Sequence, residues 1–241
     1  MALLEVCCGS QESVDAAVAG GARRVELCAD LEADGLTPPL EWLKEIKSRY
    51  PSLTVHVLIR PRPGDFVYFP EEVETMAVQV EQALEAGADG IVIGCLTPSR
   101  DVDIEAMVRL MRIVDRPVTF HRAFDVCRRP FEAMEQIIGL GCTRILTSGQ
   151  GPSVVEGSDM LRELRRRADG RIIILPGGGV TPANAARILR LTGCTEIHAS
   201  ASEMIGGKKL TSAARVAAIL DAISSSTAVP HPSRGRRRPC R

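Results

Sequence analysis

AGGARRVELC at residues 19–28, EAGADGIVIGC at 85–95, GLGCTRILTSG at 139–149 and LTGCTEIHAS at 191–200 share one grammar. Each leaves a helical pattern through a glycine and runs straight into a short β-rich segment, the order expected of helix, C-cap glycine, brief loop and strand. Their glycines, Gly21, Gly87, Gly141 and Gly193, fall 66, 54 and 52 residues apart. That spacing is close to two βα units of a barrel of roughly 250 residues. Working outward, apolar runs at 3–8, 24–28, 54–60, 90–94, 117–121, 143–147, 171–175 and 196–199 supply eight candidate strands. Amphipathic stretches at 73–84, 104–114 and 183–191 lie between them. The alternation predicts a parallel sheet, and eight strands in 241 residues favour one closed α/β domain, a (β/α)8 TIM barrel over residues 1–223. An open dinucleotide-binding sheet would need Gly-x-Gly-x-x-Gly after the first strand, where this chain has Cys8-Gly9-Ser10-Gln11-Glu12-Ser13.

Composition narrows the function classes. Hydrophobic residues make up 45%, and no apolar run approaches the ~18 residues of a membrane span, so neither a membrane protein nor a secreted one is expected. The eight cysteines are scattered, with no Cys-x-x-Cys, which fits free thiols in the cytoplasm and not a disulfide framework or structural zinc. Formal charge is zero. The segment 224–241 holds five arginines and no acid, leaving 25 cations against 30 acids in residues 1–223, a charge of minus five. That tail, rich in Ser, Pro and Arg, is expected to be disordered, and the body offers no basic groove for nucleic acid.

Chemistry in such a barrel sits at the C-terminal ends of the strands. Period-2 alternation puts Glu5 with Cys7, Glu26 with Cys28, and His56 with Arg60 on one face each, directed inside, with Val6, Val25, Leu27, Val55, Val57 and Ile59 facing the helices. Buried carboxylates need partners, and Arg60, Arg62 and the histidines are the expected ones. A satisfied ion-pair network is one reading of this set; an acid–base site using Glu26, Arg60, His121 and Asp125 is the other. Thr147-Ser148-Gly149 after strand 6, Gly177-Gly178-Gly179 after strand 7, and Ser200 after strand 8 read as an anion cradle faced by Arg60 and Arg62. Tight turns alone would account for the glycines equally. Cys7 and Cys28 fall on adjacent strands about 4.8 Å apart, so two soft thiolates are expected to meet one Cu(I) ion, unless both are inert buried hydrophobes.

Glu5-Val6-Cys7, Gly20-Gly21-Ala22 through Arg24-Val25-Glu26-Leu27-Cys28, Gly35-Leu36-Thr37-Pro38, Arg60-Pro61-Arg62 with Gly64-Asp65-Phe66, Thr119-Phe120-His121-Arg122-Ala123-Phe124-Asp125 and Thr147-Ser148-Gly149 occur in the order seen in one family. Together they resemble the copper homeostasis protein CutC family over residues 3–207. The resemblance implies a (β/α)8 barrel, a cytoplasmic location and a role in copper handling, with the strand-end cysteines, here Cys7 and Cys28, as the copper ligands. Asp34 stands where the family often has glycine. Cys95 either adds a third thiolate or has no role in the site. Copper ion or a small anionic, phosphorylated ligand is the expected partner, and a homo-oligomer is compatible with apolar helical faces.

Overall fold

In three of the four glycine phrases one pair of backbone bonds closes the helix. Gly21 N donates to Val18 O at 2.9 Å and Ala22 N to Ala17 O at 3.0 Å, and the same pair recurs at Gly87–Ala88 and Gly141–Cys142. This double closure needs a left-handed residue, and the three glycines have φ of +94°, +97° and +84°. Gly193, at φ +71°, closes the fourth helix with a single bond to Leu189 O. The chain therefore turns out of each helix and enters the next strand within a few residues.

The computed structural model describes residues 2–225. Eight parallel strands, β1 (Leu3–Cys8), β2 (Arg24–Leu27), β3 (Thr54–Leu58), β4 (Gly90–Ile93), β5 (Val118–Phe120), β6 (Arg144–Thr147), β7 (Ile173–Pro176) and β8 (Glu196–Ala199), pair in the order β7-β6-β5-β4-β3-β2-β1-β8. A parallel bridge between Gly177 and His198 closes β7 onto β8, giving the expected (β/α)8 barrel. Helices α1 (Gln11–Ala19), α2 (Leu40–Arg49), α3 (Pro70–Glu85), α4 (Ile104–Met111), α5 (Pro130–Gly139), α6 (Ser158–Ala168), α7 (Ala185–Thr192) and α8 (Ala213–Ser225) surround it. A hairpin, β9 (Ser202–Ile205) and β10 (Lys208–Thr211), turning at Gly206-Gly207, interrupts the last βα connection. None of the described helices is long and apolar enough to cross a membrane.

The expected strand phase holds. Val6, Val25, Leu27, Val55, Val57 and Ile59 lie in the apolar layer between strands and helices, with Leu43 and Ile46 of α2, Met76 and Val80 of α3 and Leu110 of α4. Each such fully buried side chain contributes about 1.5–3 kcal/mol. The opposite face carries the polar residues, together with a small apolar cluster of Cys28, Leu58 and Val92 and the buried Leu146 and Leu175. β3 ends two residues before the expected 60 because the chain turns there, Arg60 N donating to Thr37 Oγ1 at 2.9 Å. The last helix runs to Ser225, two residues past the expected domain end at 223. The rest of the expected disordered tail, 226–241, lies outside the described residues.

Candidate functional site

The floor of the barrel is a chain of buried charges. Glu5, fully buried on β1, accepts His198 Nδ1 at 2.9 Å on one oxygen. The other oxygen lies 2.8 Å from Arg24 Nε and 3.0 Å from His56 Nδ1, close contacts off the line of an ideal hydrogen bond. Burial pushes the Glu5 carboxyl up, but the hydrogen bond from His198, the close His56 ring and the Arg24 charge together hold it well below the usual carboxylate range. Arg24 also binds Glu196, which takes Arg144 Nε at 3.0 Å. Since Arg144 starts β6 and Glu196 starts β8, this last pair reaches across β7 and fastens the closing seam from inside.

The next level carries sulfur. In the β1–β2 register the neighbour of Cys7 is Glu26, and Cys28 follows one interior position higher, so the cysteines are not opposite each other as the simple pairing implied. Their sulfurs nonetheless meet diagonally at 3.6 Å. The hydrogen bond with Cys28 and burial push the Cys7 thiol well above its ordinary value. Cys7 Sγ also lies 3.7 Å from Glu26 Oε1, while Glu26 Oε2 is buried without a partner. Cys7, Glu26 and His198 offer ligand atoms that all lie within 4.8 Å of one another. Cys8 and Cys95 sit in the outer apolar layer, so Cys95 supplies no third thiolate.

Above the thiols a cavity of about 550 Å³ opens, lined by Cys7, Glu26, Arg60, His121, Arg122 and Lys209 among others. Its walls differ from the expected anion cradle. Asp125 already occupies the loop after β6: it accepts the Thr147 hydroxyl, Ser148 N at 3.0 and 3.1 Å, and Gln150 N at 3.3 Å. Thr147, Ser148 and Gln150 thus hold the protein's own carboxylate, while Gly149 N donates to Thr147 Oγ1 at 2.8 Å. Arg60 donates to three backbone carbonyls, of Ala33, Gly35 and Gly64, at 2.7–2.9 Å, and so braces two loops. Arg62 lies outside the cavity on Glu72, Asp65 and the Val67 carbonyl, because the loop after β3 curls back on itself. Gly177 packs where a Cβ would meet Leu146 at 2.5 Å. Gly178, Gly179 and Ser200 do line the cavity.

The sequence profile of the CutC family matches residues 2–203. The chain belongs to the CutC family. It is 50% identical over 204 residues to the family protein CutC of Bacteroides fragilis, covering 84% of this chain and 81% of that protein. It is 45% identical over 200 residues to the human copper homeostasis protein cutC homolog, covering 83% of this chain and 73% of that one. A crystal structure of the putative copper homeostasis protein CutC from Streptococcus agalactiae superposes with a TM-score of 0.80 at 33% identity, covering 83% and 99% of the two chains.

In this CutC barrel His121 and Asp125 do not form the expected acid–base pair. Asp125 points to the loop backbone, and His121 Nδ1 accepts from Ala123 N at 3.2 Å, which leaves the proton on Nε2, buried and unpartnered. Burial, helped by the Arg60 charge, lowers the His121 pKa to about 3. A buried neutral histidine destabilises the fold as pH falls from its unfolded value of about 6.5 toward 3, since the unfolded chain binds the proton first. Side-chain NMR of the folded protein should therefore show no His121 titration between pH 8 and 5; a midpoint near 6.5 would contradict the buried geometry. Gly94 makes this placement feasible, because a Cβ there would stand 2.5 Å from the His121 ring. Arg24, Arg144 and Glu196 were not anticipated, although Arg24 follows from the alternation that placed Glu26 inside.

Proposed function

We propose that the chain serves copper homeostasis inside the cell by binding one Cu(I) ion through Cys7 and Cys28. The observation that carries this reading is the 3.6 Å approach of the two sulfurs at the cavity floor. With a metal–sulfur bond of about 2.3 Å, an ion held by both makes an S–metal–S angle of roughly 100°, bent and open toward the cavity. Thiolates are the soft donors that select Cu(I) over harder ions. All seven described cysteines are free, as a thiol site in a reducing compartment requires, and related proteins carry copper homeostasis in their names.

An anaerobic Cu(I) titration against a competing chelator should find one tight equivalent. The Cys7→Ser, Cys28→Ser double variant should lose at least about 100-fold in affinity. Unchanged affinity in that folded variant would rule out the thiol site. The alternative, an enzyme acting on a small anionic, phosphorylated substrate by acid/base chemistry, has the cavity volume in its favour, since about 550 Å³ exceeds what one ion needs. The copper reading stands ahead of it because Asp125, Arg60 and Arg62 are engaged within the protein.

A further inference from the structure

We infer that the same cavity floor holds a second coordination set, Cys7 Sγ, a Glu26 carboxylate oxygen and a ring nitrogen of His198, suited to a divalent ion of the zinc class. It goes beyond the copper reading and does not depend on it, although the two sets share Cys7. The three ligand atoms lie within 4.8 Å of one another, and donors around tetrahedral zinc stand roughly 3.3–3.6 Å apart, so closure by about 1 Å completes the set. Mixed sulfur, oxygen and nitrogen donors suit zinc, whereas Cu(I) is drawn to the thiolate pair.

Two observations point to a ligand here. Glu26 is 5% exposed, lines the cavity, and has one oxygen with no hydrogen-bond partner, a costly arrangement unless something binds it. His198 Nδ1 is held by Glu5 at 2.9 Å, which leaves Nε2 on the side of the ring that hydrogen-bonds the Cys7 thiol, so the two ligand atoms already converge. A carboxylate behind a histidine is the usual support of a metal-binding imidazole, fixing its orientation and raising its basicity. Glu5 is itself fixed by Arg24 and His56, so the support is rigid. One thiolate and one carboxylate balance a 2+ charge. Three protein ligands leave a fourth position open to the cavity, the arrangement of zinc sites that take water or a small ligand.

The test uses Co(II) as a spectroscopic stand-in, titrated into the reduced full-length protein under argon, with Zn(II) competition. Wild type should show one equivalent with tetrahedral visible bands and a thiolate-to-cobalt charge-transfer band, displaced by Zn(II). Cys28→Ser should keep this signal while losing Cu(I), which separates the two readings. Glu26→Gln and His198→Gln, each checked for native circular dichroism, should weaken Co(II) by at least about 100-fold, more than the 10–100-fold typical of changes behind the ligands. Absence of the charge-transfer band in wild type, loss of it in Cys28→Ser, or unchanged Co(II) affinity in either Glu26→Gln or His198→Gln would overturn the inference.

Discussion

Arg24→Leu should cost the barrel about 3–5 kcal/mol, a fall of roughly 6–20 °C in Tm for a domain of this size. The arginine is buried and touches both Glu5 and Glu196, so its removal leaves two carboxylates in the interior with less compensation. Glu5 would retain His56 and His198, and Glu196 would retain Arg144, which keeps the loss within that range. Leucine fills much of the vacated volume, but an uncompensated buried charge outweighs that gain. Arg49→Leu is the control: its pair with Asp15 is about 40% exposed, and pairs of that kind are worth under about 1 kcal/mol. Urea denaturation of both variants decides the matter, and equal losses would mean that the interior network carries no special weight.

Gly157→Ala should be nearly as damaging, by about 3 kcal/mol or more, at the upper end of the overpacking range. Alanine suits the backbone conformation there (φ −85°, ψ 5°), so the penalty is purely steric. A Cβ at this position would lie 1.8 Å from the Ser148 carbonyl oxygen and 3.0 Å from Gly149 Cα. The loop that carries the amides around Asp125 would have to move, and hydrogen exchange at Ser148 and Gln150 should accelerate. Gly139→Ala, at the end of α5 with nothing within 4 Å of the added carbon, should be neutral or stabilise by up to about 1 kcal/mol. If the two variants melt together, the close approach of α6 to this loop is not tight in solution.

The fold was legible because its signals are local. A left-handed glycine after α1, α3, α5 and α7 and period-2 alternation along the strands were enough to place Glu5, Cys7, Glu26 and Cys28 inside. The hairpin β9–β10 was equally local, with Gly206-Gly207 at φ +57° and +79° between two β-prone runs, yet it went unread beside the stronger barrel pattern. The site was harder for a physical reason: a glycine-rich loop after a strand exposes amides to any anion, and sequence spacing does not distinguish a bound phosphate from a carboxylate 22 residues earlier. Asp125 supplied that carboxylate. Likewise Arg60 reads as a substrate cation in one dimension, and only the return of the loops carrying Ala33, Gly35 and Gly64 reveals its carbonyl partners.

The charged floor also proofreads the threading of the barrel. Where strands are buried on both faces, sliding one along its neighbour by a residue trades one apolar set for another, and burial alone scarcely penalises the error. Here the same slip in β1 would drive Glu5 into the greasy layer held by Leu4 and Val6, strand Arg24, and detach His198. A misthreaded ring would carry unpaired buried charge, which is strongly destabilising. The register that pairs these charges is also the one that brings the Cys7 and Cys28 sulfurs together on the diagonal, so strand alignment and the thiol pair depend on one set of side chains.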